Sequence, residues 1–221
     1  MLVMDKKRKI SIVLNVLIVV LEIFALSEIL FRYLPNDKPF LWYASLTYYT
    51  NLSNIFLLIT STIFLVCQIT NCEKNIYMRL RYASIVSVFV TFTTVYFFIV
   101  VTGNINLGFV VKENMWLFTH TICPVMALVS FIFFERKERI NIKDIIYPIL
   151  FTICYTVLIE VIYLCDGRVP YVSDFSEEPL DINTFWILLI AFIETIVTFL
   201  LALLVRFIDK KTNKKKEVSN E

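Results

Sequence analysis

Six long apolar runs, separated by short polar connections, form the dominant pattern of this chain. The runs lie at approximately Ile10–Phe31, Tyr48–Ile69, Tyr82–Thr102, Met115–Phe134, Ile145–Leu164 and Phe185–Ile208. Each is about 20 residues long, the length of an α-helix that crosses the hydrocarbon core of a bilayer. The connections are too short to hold a soluble domain. The pattern therefore predicts an all-α polytopic membrane bundle of six transmembrane helices, organised as a single domain over residues 1–221.

Composition agrees with this class and limits the chemistry. The chain is 58% hydrophobic with a mean hydropathy of +0.74, more apolar surface than a soluble domain of 221 residues can bury. Its five cysteines form no CxxC motif and no pair at ligand spacing. A single histidine excludes multi-histidine zinc or di-iron sites. We expect no disulfide framework, no metal and no cofactor.

Lysine and arginine are concentrated on alternate connections. The basic sets are Lys6, Lys7, Arg8 and Lys9; Lys74, Arg79 and Arg81; Arg136, Lys137, Arg139 and Lys143; and Arg206, Lys210, Lys211, Lys214, Lys215 and Lys216. By the positive-inside rule these connections and both termini are cytoplasmic, which leaves the loops Pro35–Thr47, Gly103–Asn114 and Cys165–Thr184 outside. We expect a multi-pass protein of the cell membrane. Its basic tail, residues 209–221, should contact lipid headgroups rather than nucleic acid.

An alternative at the N-terminus is a cleaved signal peptide, because basic residues precede an apolar run and the small residues Ala25 and Ser27. Glu22 would interrupt the apolar core of such a signal, and the apolar character resumes after Ser27. We therefore expect the first span to be retained.

The second span begins with a polar stripe. At helical spacing one face carries Thr47, Thr50, Asn51 and Asn54, while the opposite face carries Leu52, Ile55, Phe56 and Ile59. Such a stripe is stable in a membrane only where it faces other protein or a water-filled cavity. It has two interpretations, a functional site or polar side chains that hold helices together.

The single histidine, His120, lies at a matching depth. With 1.5 Å of rise per residue, Thr50 and His120 differ in depth by less than about 5 Å, in the outer leaflet. Pro124 lacks the amide that would bond the carbonyl of His120, so we expect the helix to kink there and leave that carbonyl free. Imidazole titrates near neutral pH, which suits proton transfer. The alternative is a buried histidine hydrogen-bonded to a Tyr or Thr.

Other polar residues of this layer have simpler interpretations. Glu28 is spaced to pair with Arg32, and Glu160, about four residues from the outer end of span five, to hydrogen-bond Thr156. Trp116 and Trp186 lie near span ends, where tryptophan is typically an interfacial anchor.

Two motifs carry a family resemblance: the run Tyr48-Tyr49-Thr50-Asn51-Leu52-Ser53-Asn54, and His120-Thr121-Ile122-Cys123-Pro124 two spans later. Together they resemble the androgen-induced-protein family of six-span membrane proteins and its bacterial relatives. The animal members are threonine hydrolases that cleave fatty acid esters of hydroxy fatty acids. The resemblance implies that Thr50 is the nucleophile, His120 its base, and a lipid ester from the bilayer the substrate.

The residues around this pair suggest further roles. A threonine hydroxyl needs an adjacent base to become nucleophilic. The side-chain amides of Asn51 and Asn54 are the nearest candidate donors to an oxyanion or to substrate. Glu160 is the candidate to orient His120.

A different class of function is a small-molecule or lipid transporter, with Ser84, Ser87, Thr91 and Thr94 of span three lining a path. Against this, we expect no inverted repeat and no charged relay through the inner half of the bundle. A non-catalytic membrane subunit is a further alternative.

Overall fold

The computed structural model describes residues 6–33, 47–72, 75–102, 114–135, 140–166 and 184–218. Within these ranges the chain is helical, without a strand, and has six helices long and apolar enough to cross a membrane. The prediction of an all-α chain with six candidate spans is confirmed. The three loops predicted to lie outside fall largely beyond the described residues, as does the side chain of Arg32 that was expected to pair with Glu28.

The helices match the apolar runs in order. They are α1 (Lys6–Tyr33), α2 (Tyr49–Thr70), α3 (Asn75–Thr102), α4 (114–135), α5 (Ile146–Asp166, after a 3-10 turn at Ile142–Ile145) and α6 (Thr184–Val218). The largest differences from prediction are at the polar ends. Helix α3 begins at Asn75 rather than Tyr82, and α6 continues beyond Ile208, because hydropathy does not mark the polar turns that extend a helix out of the apolar layer.

Helix α3 is the centre of the bundle. It packs against α2, α4, α5 and α6, and its eight consecutive residues 81–88 are all buried. A helix buried around its whole circumference is surrounded by other helices rather than lying at the rim. By contrast, α5 and α6 expose many large apolar side chains, including Leu164 and Phe192, as expected for helices that face lipid.

Polar contacts hold one end of the bundle together. The guanidinium of Arg8 on α1 donates to the carbonyl of Gln68 and, over 2.6 Å, to Oδ1 of Asn71 at the end of α2. Arg79 of α3 pairs with Asp144 before α5 at 3.1 Å. We call this the basic end. It collects the N-termini of α1, α3 and α5 and the C-terminus of α2, as an alternating topology requires.

Candidate functional site

A change of helical register positions His120. Residues Phe118–Ile122 form a π turn, in which the N–H of Cys123 bonds to the carbonyl of Phe118, five residues back. The number of residues per turn therefore increases immediately before Pro124. Pro124 is the residue whose missing N–H led us to expect a broken turn. Single π turns of this kind occur frequently at functional sites.

The imidazole of His120 is buried and held by its own helix. Its Nδ1 lies 2.9 Å from Oγ1 of Thr119 and 3.2 Å from the backbone carbonyl of Trp116, and its ring stacks on the Trp116 indole at 4.7 Å between centroids. A carbonyl only accepts, so this contact favours the tautomer with hydrogen on Nδ1. Nε2 is then the basic nitrogen. Trp116, for which the role of interfacial anchor stays a prediction, forms a wall of the histidine site.

Asn54 links the nucleophile candidate to the histidine segment. Its Nδ2 donates to the carbonyl of Thr50 on its own helix over 2.7 Å and to the carbonyl of Thr119 on α4 over 3.3 Å. Thr50 and the residue before His120 thus flank the same amide group. Oδ1 of Asn54 is buried and has no hydrogen-bond partner in the described part of the chain.

This arrangement corrects the role expected for Asn54. An asparagine amide has two N–H hydrogens, and both are engaged by backbone carbonyls. In the arrangement described, Asn54 has no donor left for an oxyanion, and its open atom is an acceptor. The donor role stays a prediction for Asn51, which is half-buried.

Thr50 lies at the edge of the buried face of α2. The face that packs into the bundle runs through Tyr49, Ser53, Asn54 and Leu57, whereas Thr50 is half-buried. The carbonyl of Thr50 also accepts a hydrogen bond from the Ser53 hydroxyl over 2.9 Å. Hydrogen bonds from Ser53 and Asn54 therefore hold the backbone of Thr50 close to the contact between α2 and α4. Direct contact between its hydroxyl and the imidazole of His120 stays a prediction.

Glu160 has no described contact with His120. It is half-buried on α5, which packs against α3 and α6, and its buried Oε2 has no hydrogen-bond partner within the described ranges. The expected bond to Thr156 is also absent from the described contacts, since the hydroxyl of Thr156 donates to the carbonyl of Thr152 over 3.0 Å. The described contacts orient His120 through Trp116 and Thr119 instead.

A second polar cluster, which the sequence reasoning missed, lies nearer the basic end. It joins Arg81 to a carboxylate, an amide and hydroxyls from three other helices. Arg81 pairs with Glu135 through Nε and Nη2 at 3.1 Å each, while Nη1 donates to Ser61 over 2.6 Å and Nη2 to Oδ1 of Asn15 over 2.8 Å. The Glu135 carboxylate also accepts from Asn15 over 2.7 Å and from Ser130 over 2.5 Å. We call these five residues the arginine cluster.

The arginine cluster depends on a second π turn, at Phe131–Glu135. In an α-helix, residues five apart are separated by about 140° around the axis. A π turn pairs such residues, which brings Ser130 and Glu135 to the same side of α4. All five residues of the cluster are buried, and the side chains of Arg81 and Glu135 are fully inaccessible.

Arg81 is therefore not a charge of the cytoplasmic connection, as its position before the third apolar run suggested. It lies six residues inside α3 and faces the centre of the bundle. The prediction of no charged relay through the inner half did not include this buried pair of Arg81 and Glu135. The signal that marks the cluster in the sequence is Asn15, a polar residue in the middle of an apolar span, because such residues seldom face lipid.

Glu22 carries a further buried carboxyl group, in the part of the bundle between the arginine cluster and His120. It lies on α1 beside the thiol of Cys123, and neither of its oxygens has a hydrogen bond of ordinary geometry within the described residues. In the same ranges, no group of three His, Cys, Asp or Glu side chains is placed to hold a metal ion.

Comparisons with known proteins returned no relatives. No protein-family model matches the chain, and no curated protein or solved structure is significantly similar to it.

Proposed function

We propose that the chain is an integral membrane hydrolase that cleaves carboxylic esters of lipids, with Thr50 as nucleophile and His120 as base. The observation that carries the proposal is the amide of Asn54, which donates to the carbonyls of both Thr50 and Thr119 and so holds the two candidate segments side by side. The motif resemblance to the androgen-induced-protein family points to the same two residues.

The orientation of His120 supports its role as base. Nδ1 is engaged by Trp116 and Thr119, so Nε2 is the nitrogen available to accept a proton from the Thr50 hydroxyl. The Thr50 oxygen would attack the ester carbonyl, and the protonated imidazole would give its proton to the departing alcohol. Water would then release the fatty acid from the acyl-threonine, again with His120 as base.

The substrate is proposed to enter from the bilayer. Thr50 lies at the start of α2, at the end of the helix opposite the basic end. With the basic end in the cytoplasm of a cell-membrane protein, as the positive-inside rule indicates, the site faces the outer leaflet. A lipid ester could then reach Thr50 laterally with its acyl chain still in the membrane. Fatty acid esters of hydroxy fatty acids are the class that the resemblance implies, and no cofactor is required.

A transporter is the second candidate, because Glu22, Arg81 and Glu135 are ionisable groups buried between helices. Such groups commonly mark ion or proton pathways. One feature weighs against this reading: the polar groups of the arginine cluster bond to one another.

Purified protein in liposomes separates these candidates. We expect release of free fatty acid from a fatty acid ester of a hydroxy fatty acid placed in the bilayer, measured by mass spectrometry against protein-free liposomes. Absence of release from this ester and from a monoacylglycerol, with protein-dependent movement of lipid or protons, would replace the hydrolase by the transporter. Absence of both activities would favour a non-catalytic subunit.

A further inference from the structure

Within the part of the chain that the structure describes, one buried acceptor atom of the candidate site has no hydrogen-bond donor. Oδ1 of Asn54 is buried without a hydrogen-bond partner in the described residues, although the rest of the side chain is firmly held. Its two N–H groups bond the carbonyls of Thr50 and Thr119, and these two bonds fix the plane of the amide. The identity of the free atom follows from them, because only the NH₂ group can donate to two carbonyls.

A buried acceptor without a partner is costly, so a donor is expected there when the site is in use. Asn54 is completely inaccessible and lies between the segment of the nucleophile and that of the base. Only a small donor fits this description. Water is the small donor that the second half of ester hydrolysis requires.

We propose that Oδ1 of Asn54 positions the water that hydrolyses the acyl-threonine, an inference that rests on the proposed function. The water donates one hydrogen bond to Oδ1 of Asn54 and its other hydrogen to Nε2 of His120. Its oxygen bonds to the acyl carbon, the bond from that carbon to Oγ1 of Thr50 breaks, and Oγ1 takes the proton back from His120. The products are the carboxylic acid and the regenerated threonine. Asn54 is thus a positioning residue that acts on deacylation.

Water and methanol differ in a way that tests this role. Water has two hydrogens and can serve Asn54 and His120 together, whereas methanol has one O–H and uses it on His120. Methanol therefore gains nothing from Oδ1. Loss of the acceptor should slow hydrolysis more than methanolysis, whereas general damage to the site should slow both equally.

The experiment uses the full chain in liposomes with a p-nitrophenyl ester of a medium-chain fatty acid and a fixed concentration of methanol. The ratio of carboxylic acid to methyl ester is measured, together with acylation of Thr50 by mass spectrometry of the intact protein. For Asn54→Leu we expect the ratio to fall by about 2- to 12-fold, the effect of losing one ordinary hydrogen bond, and acyl-Thr50 to accumulate. Because only folded molecules turn over, the ratio does not depend on the folded fraction.

Ser53→Ala is the matched control. It removes the neighbouring hydrogen bond to the carbonyl of Thr50 but no acceptor of the water, so its product ratio should equal that of the unmodified protein. Asn54→Ala is a second test in case Asn54→Leu does not fold. It also removes the acceptor but introduces no branched apolar side chain in its place.

An unchanged ratio in the Asn54 variants, or equal losses of acylation and hydrolysis, would overturn the role of Asn54 and leave the hydrolase intact. Absence of acyl-Thr50 and of p-nitrophenol release in the unmodified protein would instead overturn the proposed function itself.

Discussion

The side chain of Asn54 donates a hydrogen bond of 3.3 Å to the backbone carbonyl of Thr119, across the contact between α2 and α4. This bond ties the first turns of α2, which carry Thr50, to the π turn that carries His120. The same amide is anchored on its own helix by its bond to the carbonyl of Thr50, so a shift of α2 along α4 would break the bond to Thr119. Asn54 therefore fixes the position of α2 along α4 at the depth of the candidate site.

The ring of Trp116 should contribute to the activity through His120. The two rings stack at 4.7 Å with 13° between their planes. Trp116→Leu keeps the backbone carbonyl that bonds Nδ1 but removes the stacked ring. Aromatic pairs contribute about 0.5–1.5 kcal/mol, so we expect ester hydrolysis to slow by about 2- to 12-fold, measured as kcat in liposomes.

Trp186→Leu is the control for that substitution, because Trp186 is exposed on α6, where its ring contacts that of Phe185. Its kcat should stay close to that of the unmodified protein. Equal losses from the two variants would show that Trp116 acts as a general membrane anchor rather than through the imidazole.

The arginine cluster should dominate the stability of the half of the bundle nearer the basic end. Removing one partner of a buried ion pair costs about 3–5 kcal/mol, since the other charge is left buried and unpaired. We expect Arg81→Ala to destabilise the protein by that amount. Unfolding by SDS in mixed micelles, followed by circular dichroism, measures the change in free energy.

Arg79→Ala provides a matched comparison two residues away. Arg79 also pairs with a carboxylate, that of Asp144, at 3.1 Å, but its side chain is 44% exposed. Pairs exposed to solvent contribute about 0–1 kcal/mol. A loss from Arg81→Ala no larger than that from Arg79→Ala would mean that the arginine cluster does not hold the helices together.

Hydropathy predicts the six helices of this chain, because the length and apolarity of each run follow directly from the thickness of a bilayer. It also indicates that Asn54 and His120 face protein, since both are costly in lipid. The burial of Asn54 and His120 agrees with that reasoning. The polarity of these two residues was thus sufficient to predict that their side chains are buried within the bundle.

The arginine cluster was beyond this reasoning for two physical reasons. Arg81 directly precedes an apolar run, so charge alone cannot distinguish a loop cation from a residue six positions inside a helix. The pairing of Ser130 with Glu135 requires a π turn, whereas helical-wheel spacing assumes 3.6 residues per turn and places the two on different sides. The amide orientation of Asn54 likewise depends on a carbonyl from another helix, Thr119, which no local pattern reveals.

Two native cysteines test the orientation of the bundle. Cys72 follows α2 at the basic end, Cys165 lies near the opposite end of α5, and both are exposed free thiols. In cells producing variants with one cysteine each, we expect a membrane-impermeant maleimide to label Cys165 from outside and Cys72 only after lysis. Labelling of both from the same side would contradict six spans with cytoplasmic termini.

The central claim is that Thr50 is a nucleophile and not merely a polar residue between helices. The measurement that tests it most directly is ester hydrolysis by Thr50→Ala and Thr47→Ala in liposomes, because both threonines belong to the predicted polar stripe and Thr47 lies just before α2. Removal of a nucleophile should lower turnover by about 10⁴-fold or more, and His120→Ala should cost nearly as much, since the pair acts as a unit. Thr50→Ser should retain activity because it keeps the hydroxyl. We predict that Thr50→Ala abolishes hydrolysis while Thr47→Ala leaves it nearly unchanged; equal, small losses from both would contradict the account.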